Sequence, residues 1–127
     1  MTLQSIEEYG PQFQIKVISS LLTHKEFLVN IHDILDENNF GNQAHQWIIK
    51  EILDYYQKYH TTPSMDVLKV EMKKITNDVL KLSVKEQLRA AYESSTDDLE
   101  YIQEEFSTFC KNQQLKKALL ESVDLLK

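Results

Sequence analysis

Glycine and proline are nearly missing from this chain of 127 residues, which holds two of each. Loops that cradle phosphate through backbone amides need clustered glycines. No Gly-x-x-x-x-Gly-Lys-Ser/Thr occurs, so these residues carry no Walker-type nucleotide site. Cys110 is the single cysteine, which rules out an internal disulfide and fits a reducing interior. The longest purely apolar runs are a few residues, against the roughly 20 that a spanning helix needs, and no signal-like segment opens the chain. Cations are also short. Lys and Arg total 14 against 20 Asp and Glu, a net charge of −6 and a pI near 5.2. Binding to nucleic acid draws much of its affinity from cations that neutralise phosphates, so a dedicated nucleic-acid module is disfavoured.

What is present suits helices. Leu, Ile, Lys, Glu and Gln are abundant, and 42% hydrophobic residues suffice for one core at single-domain length. The clearest pattern runs from Ala44 to Tyr59, where Ala44, Ile48, Ile52, Tyr55, Tyr56 and Tyr59 share one helical face. Gly41 allows a turn before it and Asn42 can cap it. Thr62 and Pro63 read as the cap and first residue of the next helix, which continues through Val67, Leu68 and Met72 to Ile75. This apolar helix is expected to be the one around which shorter helices pack.

Upstream, residues 1–11 read as an arm closed by Gly10-Pro11, with Ile6 and Tyr9 able to dock on the body, and Met1 reads as a natural start. Gln12 to Leu22 is apolar nearly all round and is expected to be buried. Thr23 can cap a second helix from Lys25 to Leu35, with Phe27, Leu28, Ile31 and Leu35 inward, followed by a polar loop at Asp36–Asn39. Downstream, Ser83-x-x-Glu86 has the form of a capping box for a helix through Tyr92, and Ser95-x-x-Asp98 marks another start.

The last pattern changes face. Leu99, Ile102, Phe106 and Phe109 form one stripe, and Lys111–Gln114 interrupts it. Leu115, Leu119, Ser122 and Leu126 then resume it, rotated by about 150° at ~100° per residue. One helix cannot bury both stripes against the same body. The first half belongs to a head; the second, with Leu115, Leu119, Val123 and Leu126 exposed, needs another partner, and pairing with the same stripe of a second copy is expected. A break at Asn112 with the helix folding back is the alternative. The pattern is still running at Lys127, so further chain is expected.

Chemistry is sparse. His24, His32, His45 and His60 never pair at i,i+4 and no His-Glu-x-x-His occurs, so a metal site would have to be assembled across helices. His45 is expected to bond a backbone carbonyl near Phe40. Glu104-Glu105 and Asp97-Asp98 read as solvated face or helix-dipole complement, and Cys110 as a small apolar residue. No nucleophile–base pair is visible. Two surface candidates remain. Trp47 falls on the polar side of the central helix, either covered by another helix or free as a contact residue. Lys69, Lys73, Lys74, Lys81, Lys85 and Arg89 make one stretch of an acidic chain basic. A solvated face is the plain reading; an acidic partner surface or single-stranded DNA is the functional one.

Phe40, a short gap, His45, then Ile48 and Ile49, and finally Tyr59-His60-x-x-Pro63-Ser64 opening a new helix form a pattern that resembles the N-terminal domain of DnaB-type replicative helicases. The Pro-Ser opening is closer to the phage branch, and the flanks agree, with two helices upstream and a long one at Tyr101. Bacterial relatives usually place a glycine where this chain has Ser19-Ser20, small residues that permit a similar close helix contact. The resemblance implies an all-α fold, with a compact multi-helix head over 12–110. A long C-terminal helix follows, its segment 111–127 being the first arm of a helical hairpin cut off before an ATPase domain. It implies no catalytic, cofactor or metal site here, with ATP and Mg confined to that motor domain. Implied partners are further copies, as a dimer of this domain and a hexamer of the full protein, and a primase or helicase loader. Single-stranded DNA would be met only through the full ring, with no membrane and with a place in the cytoplasm, the host's if phage-encoded. Trp47 and the basic residues would then dock the partner. A small helical adaptor or helix-turn-helix-like regulator working through residues 64–92 is the second reading, and a metal-dependent helical enzyme a distant third.

Overall fold

A helix apolar on every side has to be enclosed, and Pro11–Thr23 (α1) is. Phe13, Ile15, Val17, Ile18 and Leu21 are all buried, as are its polar residues Gln14, Ser19 and Ser20. The structure, a computed structural model, describes residues 5–125, with side chains through Val123. Among the described residues all regular structure is helical: α1 is followed by α2 (Lys25–Ile31), α3 (Gln43–Tyr59), α4 (Met65–Met72), α5 (Asp78–Glu93) and α6 (Leu99–Leu125). Short 3-10 turns lie at Ile6–Tyr9 and Glu37–Asn39. This is the all-α head with a long C-terminal helix that the composition and periodicity predict.

The hub is α1, not α3 as the sequence suggests. α1 packs against the first 3-10 turn, α2, α3, α5 and α6, whereas α3 packs mainly on α5, α1 and the second 3-10 turn. The reason lies in the far end of α3. Its Ala44, Ile48, Ile49 and Ile52 are buried, but Tyr55 and Tyr56 are half-buried and Tyr59 is exposed, so its last turn leaves the core. Ser19 and Ser20 put little bulk on α1, and Gln103 of α6 reaches Ser20 with Nε2 3.4 Å from Oγ. Lys16 and Asp98 tie the same two helices at the start of α6, 2.8 Å apart.

The arm is part of the head. Ile6 is fully buried, and Tyr9 stacks on Phe13 with ring centroids 4.4 Å apart. Ser5 and Glu8 form a capping box around the turn, and Gly10, at φ 91°, supplies the left-handed backbone that lets Pro11 open α1. Gly41, by contrast, has no positive φ. It is held close by the Glu7 side chain, whose carboxylate bonds the Gly41 amide.

Several helix ends differ from the expected ones. Thr23 ends α1, its hydroxyl donating to the Ser19 carbonyl, and it does not cap α2. α2 stops at Ile31 and continues as turns, which still bury Leu35. Asp36 caps the 3-10 turn that replaces the polar loop. α4 is capped by Ser64, one residue beyond Pro63, so Thr62 is not the cap; α4 also ends at Met72, short of Ile75. α5 begins at Asp78 under Asn77, which places Ser83 in mid-helix and leaves no capping box there. The misplaced starts of α4 and α5 share an origin: Ser, Thr, Asn and Asp can all cap, and more than one of them stands near each start.

Candidate docking surfaces

The motif residues around α3 are built into the head. Asn42 Oδ1 accepts from the amides of Ala44 and His45, as a cap should. Phe40 is buried and packs edge-on to His45, with centroids 6.3 Å apart, and against Phe106 at 5.9 Å. The Phe40 carbonyl is bonded by Gln46, not by His45. His45 instead lies between two side-chain amides, with Nδ1 3.2 Å from Gln14 Oε1 and Nε2 2.7 Å from Gln87 Oε1. Burial lowers its pKa, so it stays neutral, partly offset by the Gln87 bond. A neutral ring has one donor, so one of the two amides must turn its NH2 toward it. His60 ends α3 in the left-handed region at φ 59°, and Pro63 is buried beside the Ser64 cap.

Trp47 is half-buried against the core. It lines a shallow hollow of about 310 Å³ with Glu51, Glu71, Lys74, Ile75, Asn77 and Leu80, so the α4–α5 connection covers part of it. The hollow is not basic. Glu71 pairs with Lys74 at 3.0 Å, and burial, followed by the charges of Glu71 and Asp54, raises the Glu51 pKa.

The basic residues do not form one stripe. Lys69, Lys85 and Arg89 come together with Met65, Leu88, Tyr92 and Glu93 along the α4–α5 pair. Lys74 belongs with Trp47, Lys73 is the C-cap that follows α4, and Lys81 is half-buried. Helical spacing cannot reveal this division, because α4 and α5 cross at an angle set by their packing.

α6 is continuous through Asn112, so the helix does not break and fold back there. Leu99, Ile102, Phe106, Phe109 and Cys110 are buried; Leu115, Leu119, Leu120 and Val123 are 60, 60, 59 and 51% exposed. Leu120, which the four-three-four spacing does not include, widens the stripe toward a hollow lined by Ile34, Leu35, Asp36, Lys116 and Lys117. Leu126 lies outside the described residues. The Cys110 thiol is pushed up to about 12, by burial first and then by Asp36, which makes it an inert apolar group. Among the described residues no cluster of three His, Cys, Asp or Glu is placed to hold a metal, and no helix is long and apolar enough to cross a membrane.

These features define an all-helical domain that carries an exposed apolar band on one long terminal helix. Residues 11–108 match the family model of the DnaB-like helicase N-terminal domain, and the chain belongs to that family. Comparison with curated proteins and with solved structures gives no match.

Proposed function

We propose that this domain is the assembly and docking head of an ATP-dependent replicative helicase, with ATP and Mg handled in a separate motor domain. Its own work is to pair with a second copy through Leu115, Leu119, Val123 and Leu126, as one step in building a hexameric ring. It also presents its α4–α5 face, with Trp47 at the margin, to a primase or helicase loader. Single-stranded DNA is met only by the full ring, in the cytoplasm of the cell or of a phage's host.

The observation that carries this reading is the exposed row Leu115, Leu119, Leu120 and Val123 on the second half of α6. Burying each such side chain is worth ~1.5–3 kcal/mol, less the cost of association, so a weak two-fold dimer follows. Light scattering over a dilution series tests it. The dimer should dissociate on dilution, and Leu119→Asp with Val123→Asp should hold the chain monomeric at every concentration. A chain that is monomeric throughout, with the double substitution changing nothing, rules the interface out.

A further inference from the structure

Two hollows meet at Met65 and Tyr92, one along the α4–α5 pair and one where the end of that pair faces the last turns of α1. The first, about 260 Å³, is lined by Leu22, Pro63 and Ala91 as well, with serines and threonines around them. The second, about 420 Å³, has buried Leu88 as its floor and exposed Lys69, Lys85 and Arg89 at its rim. Glu93 is the one acid among the lining residues. Together they make a groove that is uncharged at one end and basic at the other.

The rim is short of counter-charge. Among the described residues none of Lys69, Lys85 and Arg89 enters an ion pair, although the chain carries a net charge of −6. Tyr92 stands 79% exposed on the groove wall. A groove between two packed helices takes a third helix through apolar anchors spaced three and four residues apart. Single-stranded nucleic acid fits less well. It needs a row of aromatic faces and several cations along its backbone, and this groove has one tyrosine, three cations and Glu93.

We propose that the α4–α5 groove receives one amphipathic helix of a partner protein, with acidic side chains at the end that lies over Lys69, Lys85 and Arg89. This deepens, and rests on, the reading of the domain as a docking head.

The test titrates the whole chain with three fluorescent probes. One is a synthetic helix of roughly 18 residues with leucines at i, i+3 and i+7 and glutamates at one end. The second has lysine for every glutamate, and the third is oligo-dT. The acidic helix should bind saturably and shift the NMR signals of Met65, Leu88, Ala91 and Tyr92. Affinity should fall at least about tenfold for the lysine helix and for Lys85→Glu with Arg89→Glu. If charge reversal disturbs folding, Lys85→Gln with Arg89→Gln should still weaken binding. Equal affinity for both helices, no saturable binding, or oligo-dT seated more tightly on the same residues overturns the proposal. Binding that shifts only signals around Trp47 overturns the groove while leaving a docking head in place.

Discussion

His45 and Gln87 meet at 2.7 Å, joining the first turn of α3 to the middle of α5 across 42 positions of sequence. With Gln14 on its other side, the ring links three helices inside a core that is otherwise nearly all apolar. Because burial lowers its pKa in the folded chain, the unfolded chain takes up a proton first as pH falls. Above about pH 6.5 both states are neutral and His45 adds no pH dependence. Below that, stability should drop until the folded-state pKa is also passed. Denaturant unfolding at a series of pH values checks it: His45→Leu should be less stable at neutral pH yet lose the slope just below pH 6.5.

Asn77 and Ser83 offer a paired test of where α5 starts. Asn77 Oδ1 accepts from the Leu80 amide at 3.0 Å, so Asn77→Ala should cost about 1 kcal/mol. Ser83 sits in mid-helix, where alanine is the better helix former, and Ser83→Ala should be neutral or stabilising by a few tenths. The opposite ranking in chemical denaturation would place the start at Ser83.

The Thr62 hydroxyl is buried with no hydrogen-bond partner among the described residues. Thr62→Val keeps the shape and removes the unsatisfied group, so it should stabilise the domain by about 1 kcal/mol. A lower melting temperature in the variant would show that the hydroxyl is satisfied in solution.

Trp47 packs half-buried on the core, so truncation removes packing before it removes any contact. Trp47→Ala should destabilise by roughly 2 kcal/mol, below the 3–5 typical of a fully buried aromatic. An unchanged melting temperature would return Trp47 to the role of a free contact residue.

Local chemistry made much of this domain readable from residues alone. The 3.6-residue period of Ala44, Ile48 and Ile52, the Asn42 cap, and the all-round apolar face of α1 each follow from interactions a few residues apart. So does the switch of stripe in α6, because helix geometry fixes which residues share a face. The Phe40–His45–Pro63 pattern carried the family, although each of those residues turned out to serve the packing.

What tertiary structure alone decided is which of several locally equal choices prevails. Thr62 and Ser64, or Asn77 and Ser83, have similar capping chemistry; the packing of α4 and α5 selects Ser64 and Asn77. His45 could have bonded any nearby acceptor, and the approach of α1 and α5 supplies Gln14 and Gln87 from 31 and 42 positions away. The sorting of Lys69, Lys85 and Arg89 from Lys74 and Trp47 is of the same kind. Periodicity gives a residue's angle about its own helix axis, while the neighbour across the groove depends on how two helices cross, which long-range burial sets.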